Sequence, residues 1–116
     1  MSLTIFYVES PAASARFYEK LLGRAPVEAS PTFAMFALDG GGMLGLWARA
    51  EVKPNAAHLG GGGELAFQVP DVDAAHAEWA ARGATILQPP MDLDFGRNFL
   101  AADPDQHRLR VFKPAM

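Results

Sequence analysis

Hydrophobic and polar positions along this chain fall into short blocks, and the order of those blocks is repeated once. Leu3–Val8 is apolar and rich in β-branched and aromatic residues, the pattern of a buried strand. Ser10-Pro11 then supplies an N-cap and a proline at the first helical position, and the spacing predicts a helix to Leu22. Its apolar stripe is Ala15, Tyr18 and Leu22, with Phe17 and Leu21 beside it, and Gly23 ends it. Val27–Ala29, Phe33–Leu38 and Met43–Ala48 are predicted strands, the last two joined by the hairpin composition Asp39-Gly-Gly-Gly.

The segment 51–62 interrupts this order. It runs into four glycines, Gly60 to Gly63, which neither hold a helix nor pack a strand cheaply, so a linker is expected. The pattern then restarts. Glu64–Val69 is a strand, Asp71 caps a helix ending at Arg82-Gly83, and Thr85–Leu87, Phe95–Ala101 and Arg108–Phe112 are strands. The last two flank the turn Asp103-Pro-Asp-Gln. Val8 superposes on Val69, Tyr18 on Trp79 and Gly23 on Gly83 at a nearly constant offset. The expected fold is therefore α+β: two tandem βαβββ modules, about 2–50 and 63–113, within one domain spanning 1–116.

Composition narrows the function classes. Half of the 116 residues are apolar and a fifth are charged, an ordinary globular balance. A net charge of −3 gives no electrostatic reason to expect nucleic acid, which would want a basic face. Without cysteine there is no disulfide, thiol chemistry or thiolate metal site. No apolar run approaches the roughly 20 residues of a membrane span, and the first residues lack a basic leader pattern. The expected location is the cytoplasm, with no membrane partner.

The helix motif Ser10-Pro-Ala-Ala-Ser-Ala-Arg-Phe-Tyr-Glu-Lys-Leu-Leu-Gly23 and the late turn Asp103-Pro-Asp-Gln-His107, set in two βαβββ modules, resemble the glyoxalase/bleomycin resistance/dioxygenase superfamily. That fold is also called the vicinal oxygen chelate fold, and the resemblance covers nearly the whole chain. Within it, Tyr7-Val8, Pro26-Val27, Leu46-Trp47 and Asp94-Phe-Gly-Arg-Asn-Phe-Leu100 are similar to phenazine-antibiotic resistance and related drug-binding proteins. The resemblance implies a homodimer whose curved sheets line binding crevices.

Metal-dependent members carry four ligands, and the resemblance places them here at Leu3, Gly45, Glu64 and Arg110. Only Glu64 is a donor, and a guanidinium repels a cation, so no metal and no other cofactor is expected. Glu64 and Arg110 are natural ion-pair partners in the vacated place. They either serve a ligand or form a purely structural pair. His58, His76 and His107 fall on no ligand position, and no arrangement for nucleophilic catalysis is present, so no catalytic residue is assigned.

Strand alternation then assigns the crevice face. Leu3, Ile5 and Tyr7 share it with Met43, Gly45 and Trp47, and in the second module Glu64, Ala66 and Gln68 share it with Arg108, Arg110 and Phe112. The opposite positions, among them Phe6, Val8, Leu44, Leu46, Leu65, Phe67, Leu109 and Val111, are all apolar and suit a helix-covered side. The expected ligand-binding residues are Tyr7, Trp47, Glu64, Gln68, Arg108, Arg110 and Phe112, with Phe95, Arg97 and Phe99 closing one end. Trp47 offers a stacking surface, Gly45 room for a ring, and the expected partner is a small planar organic ligand. Trp47 also reads as a dimer-core or hinge tryptophan, and Phe95, Arg97 and Phe99 as plain sheet packing plus one surface arginine.

Three functions follow from these readings. The first is a non-catalytic binder that sequesters an aromatic antibiotic or similar metabolite. The second is a glyoxalase-, lyase- or dioxygenase-type enzyme, which needs a metal or a metal-free acid–base pair of Glu64 and Tyr7. The third is a module whose crevice is filled by its own side chains.

Overall fold

The computed structural model describes residues 2–115; Met1 and Met116, the ends of the expected 1–116 span, lie outside the described residues. The chain divides within the glycine run into two compact units, one ending at Gly61 and the other starting at Gly62.

In the first unit, β1 (Leu3–Val8), β2 (Glu28–Ala29), β3 (Phe33–Ala37) and β4 (Met43–Ala48) form a sheet in the order β1-β4-β3-β2. The pair β1–β4 is parallel and places Leu3 beside Met43, Ile5 beside Gly45 and Tyr7 beside Trp47. Helix α1 (Pro11–Leu22) covers one face. The Ser10 side chain caps it by accepting from the Ala13 amide, and Gly23, in the left-handed conformation, closes it. Its buried line is Pro11, Ser14, Tyr18 and Leu21, which keeps Tyr18 of the expected stripe and takes Ser14 and Leu21 in place of Ala15 and Leu22. Tyr18 packs on Phe36 of β3, over a sheet face made of Val8, Leu44 and Leu46, all without solvent exposure.

The second unit repeats this plan. Strands β5 (Glu64–Gln68), β6 (Thr85–Leu93), β7 (Gly96–Ala102) and β8 (Arg108–Pro114) are ordered β5-β8-β7-β6, with β5–β8 parallel. Helix α2 (Val72–Ala81) is capped by Asp71, which accepts from the Ala74 amide. Trp79 of α2 meets Phe67 and Phe99 edge-on, with centroids 5.4 and 5.6 Å apart, over fully buried Leu109 and Val111. Each such buried side chain contributes about 1.5–3 kcal/mol by leaving water. Tyr18 and Trp79, matched by the internal repeat, are thus the large helix residues of the two cores.

Two local features differ from, or explain, the sequence pattern. β6 continues to Leu93 through Pro89-Pro90 instead of stopping at Leu87. It is an edge strand, and register shifts on either side of Gln88 remove the ladder bonds that proline cannot donate. In the Asp103-Pro-Asp-Gln-His107 turn, buried Asp103 accepts from the amides of Asp105 and His107 at 2.9 and 2.8 Å. That aspartate organises the turn entering β8, which accounts for the motif structurally.

Candidate functional site

The sheet face opposite each helix is the candidate surface, and the two faces differ in chemistry. On the first unit it is apolar apart from Glu28 of the edge strand β2, which register puts in one row with Met35, Gly45 and Ile5. Leu3 and Ile5 are 44% and 41% exposed there, and Tyr7 and Trp47 meet edge-to-face with centroids 6.5 Å apart. Gly45 lies between them and Leu3, but its space is already taken. A Cβ built on Gly45 would stand 2.9 Å from the Phe33 ring and 3.4 Å from Leu3 Cδ1. The ring that glycine accommodates is therefore the protein's own Phe33, not a gap left for a ligand, which corrects the expectation drawn from the sequence.

The second unit presents a polar face. Register places Glu64, Arg108 and Ala102 in one row, Ala66, Arg110, Leu100 and Gln88 in the next, and Gln68, Phe112, Asn98 and Met91 in a third. Glu64 passes its direct neighbour Arg108 and takes two hydrogen bonds from Arg110, Nε to Oε1 and Nη2 to Oε2, each 2.7 Å. Arg108 Nη1 stays 3.8 Å from the same carboxylate. Arg110 Nη1 donates to Asn98 Oδ1 at 2.7 Å and to Gln88 Oε1 at 3.5 Å. Asn98, fully buried, uses its Nδ2 to donate to the Met91 carbonyl, which fixes its orientation toward Arg110.

These contacts set the electrostatics of the pair. The Arg110 hydrogen bonds, reinforced by the charges of Arg110 and Arg108, hold the Glu64 carboxyl below the usual carboxylate range against partial burial. The same hydrogen bonds hold Arg110 more firmly protonated. With side chains only 30% and 18% exposed, the two groups form a partly shielded, two-pronged pair.

The donor set does not fit a divalent metal. Leu3 and Gly45 have no donor, both oxygens of Glu64 are committed to Arg110, and Arg110 is a cation. Among the described residues no three His, Asp or Glu side chains gather as a ligand set.

Two expected residues lie elsewhere. Phe99 pairs in register with Val111 and is buried beneath α2, against Trp79 and His76. Arg97 pairs with Lys113, and its guanidinium binds Asp73 of α2 at 2.8 and 2.9 Å and Asp92 of β6 at 3.2 Å. Both belong to the helix side because β7 alternates so that Asn98, not its neighbours, faces with Phe112. Phe95 sits in the turn before β7, and its ring meets Phe112 edge-on at 6.4 Å. Gln68 is exposed and, with Val69, Pro70, Lys113 and Pro114, lines an open cavity of about 550 Å³ at the ends of β5 and β8. Asn98 and Gln88 are the partners of Arg110 that sequence reading misses. Carrying alternation from β8 across the hairpins reaches Asn98, but the bulges around Gln88 defeat it.

Comparison with known proteins gives one family match and three related proteins. The profile of the Glyoxalase/Bleomycin resistance protein/Dioxygenase superfamily matches residues 2–111. The chain is 29% identical over 116 residues to the phenazine antibiotic resistance protein EhpR of Enterobacter agglomerans, covering 95% of this chain and 88% of that protein. Among solved structures, protein ATC0852 of Agrobacterium tumefaciens is 53% identical, with a TM-score of 0.87 over 98% of this chain and 96% of its own. A glyoxalase-related enzyme from Fulvimarina pelagi is 25% identical, with a TM-score of 0.84 over 97% of this chain and 86% of its own. No helix among the described residues is long and apolar enough to cross a membrane.

Proposed function

The chain belongs to the Glyoxalase/Bleomycin resistance protein/Dioxygenase superfamily, and from that premise we propose that it is a metal-independent binder of a small planar organic molecule, sequestering an aromatic antibiotic or related metabolite without transforming it. The observation that carries this reading is the Glu64–Arg110 pair. The one carboxylate left at the four ligand positions spends both oxygens on a guanidinium, so the centre that would activate a substrate is replaced by a closed ion pair.

The remaining groups suit recognition of a ring system. Tyr7 and Trp47 supply aromatic surface on one unit, and Phe112 with Gln68, Arg108 and Arg110 supplies mixed aromatic and polar contacts on the other. The relationship to EhpR, whose name assigns it to phenazine antibiotic resistance, favours an aromatic antibiotic as the ligand. The homodimer and the cytoplasmic location expected from the sequence are part of the same proposal.

The test is a tryptophan-fluorescence titration of metal-stripped protein against planar antibiotics, with divalent metals titrated in parallel. Saturable quenching without metal supports sequestration. Tight metal binding with silence toward every compound returns the protein to the metalloenzymes of its superfamily.

A further inference from the structure

On the open face of the second unit the charged residues of the paired rows are Glu64, Arg108 and Arg110, which leaves one positive charge in excess. That excess is localised. Glu64 and Arg110 neutralise each other through two hydrogen bonds of 2.7 Å, whereas Arg108 stands 3.8 Å from the shared carboxylate, beyond hydrogen-bond length. Its side chain is 56% exposed, and that carboxylate is its only ion-pair partner among the described residues.

The neighbouring groups specify what accompanies an anion at Arg108. Phe112 lies four residues further along β8 on the same face, about 13 Å away at the rise of a strand. Between them sits the Arg110 guanidinium, held by Glu64 on one side and Asn98 on the other. A guanidinium so fixed is a flat, delocalised surface on which aromatic rings stack, and it loses little freedom when one does. A rigid ring system running along β8 would meet Phe112 at one end, pass over Arg110 and bring its other end to Arg108.

We infer that the ligand of this face is a planar aromatic acid, its ring system lying along β8 over Arg110 and Phe112 and its carboxylate held by Arg108. The inference rests on the binder reading and deepens it by naming the ligand's charge. A carboxylate matches the forked donors of arginine, and a neutral isostere forfeits the charge while keeping the rings.

The experiment is isothermal titration of the full chain with naphthoate and with naphthamide, which share a ring system and differ in charge. The acid is expected to bind about threefold to tenfold more tightly than the amide, a preference sized for a partly exposed ion pair. High salt should shrink that ratio toward one in the wild type, since the pair is solvent-accessible. Arg108→Gln should bring the ratio to about one at low salt. Equal binding of acid and amide by the wild type overturns the inference and leaves the binder reading standing. Binding of neither compound, nor of any planar antibiotic, overturns both. A ratio that survives Arg108→Gln but collapses in Lys113→Gln moves the anion to the cavity at the end of β8 and overturns the assignment to Arg108.

Discussion

Glu64 reaches past Arg108, its direct partner across β5 and β8, and gives both carboxylate oxygens to the diagonal Arg110. The diagonal choice follows from what surrounds Arg110. Its register partner is Ala66, too small to obstruct the guanidinium, and buried Asn98 offers an oriented acceptor on the far side. Arg110 therefore hydrogen-bonds three side chains at once, and Glu64 only one. Replacing Arg110 by Ala should cost about 2–3 kcal/mol, because Asn98 Oδ1 is left buried without that donor. Glu64→Gln should cost about 1–2 kcal/mol, less than a buried pair because both side chains retain some solvent contact. Urea denaturation of the two variants and their double mutant at neutral pH measures this, with a coupling of about 1 kcal/mol expected. A cost under about 0.5 kcal/mol for Arg110→Ala would reduce the pair to surface decoration.

The same pair imposes a pH dependence of definite sign. The Arg110 hydrogen bonds lower the Glu64 pKa in the folded state relative to the unfolded chain. Its contribution is therefore fully present above the unfolded value and disappears as pH falls through the folded one. The stability difference between wild type and Glu64→Gln should be constant from about pH 7 to about pH 5 and shrink between about pH 5 and about pH 3. Asp73, lowered chiefly by its hydrogen bonds from Arg97, titrates in the same direction, but it is present in both proteins and cancels in the difference. A difference that stays level down to about pH 3 would mean that Glu64 feels no such stabilisation.

The Phe95-Gly96-Arg97 segment has a structural origin that mutation can expose. Gly96 has φ of +141°, and a Cβ there would lie 2.1 Å from the Lys113 carbonyl oxygen and 2.8 Å from the Ala115 amide nitrogen. Both are backbone atoms of the adjoining strand end and cannot swing aside. Gly96→Ala should therefore cost about 3 kcal/mol or more, the sum of a conformation that side chains rarely adopt and a backbone displacement. A midpoint within about 1 kcal/mol of wild type would show that the hairpin yields easily.

Much of this architecture is legible in the sequence, and the failures have identifiable causes. The caps at Ser10 and Asp71 and the alternation in Leu3–Val8, Met43–Ala48 and Arg108–Phe112 are local signals, which is why those elements and their faces can be read directly. The ion pair of Glu64 and Arg110 is also legible, since both lie on strands whose alternation is unbroken. Arg97 and Phe99 are misplaced because the face of β7 depends on its register with β8 across the Asp103 turn, which periodicity within β7 does not reveal. Phe33 over Gly45 is invisible for a related reason: it depends on how the β3–β4 hairpin aligns, not on any pattern within one strand.

Trp47 is where the binder reading is most exposed to failure. It is half-buried, with Tyr7 against its ring edge-on, whereas Trp79 is enclosed by Phe67 and Phe99 beneath α2. A ligand stacked on the open face of the first unit should therefore quench Trp47 and leave Trp79 largely untouched. Trp47→Phe should abolish most of the quenching while binding persists by calorimetry, because a phenyl ring still stacks. Trp47→Ala should weaken binding of the planar compound by about 1–3 kcal/mol, the range for losing a buried aromatic contact. Stability measured alongside separates this from a packing role, since a tryptophan that only supports the sheet lowers the unfolding midpoint without selectively weakening the ligand. Unchanged affinity in Trp47→Ala removes the residue from the site and leaves recognition to the polar face around Arg108 and Arg110.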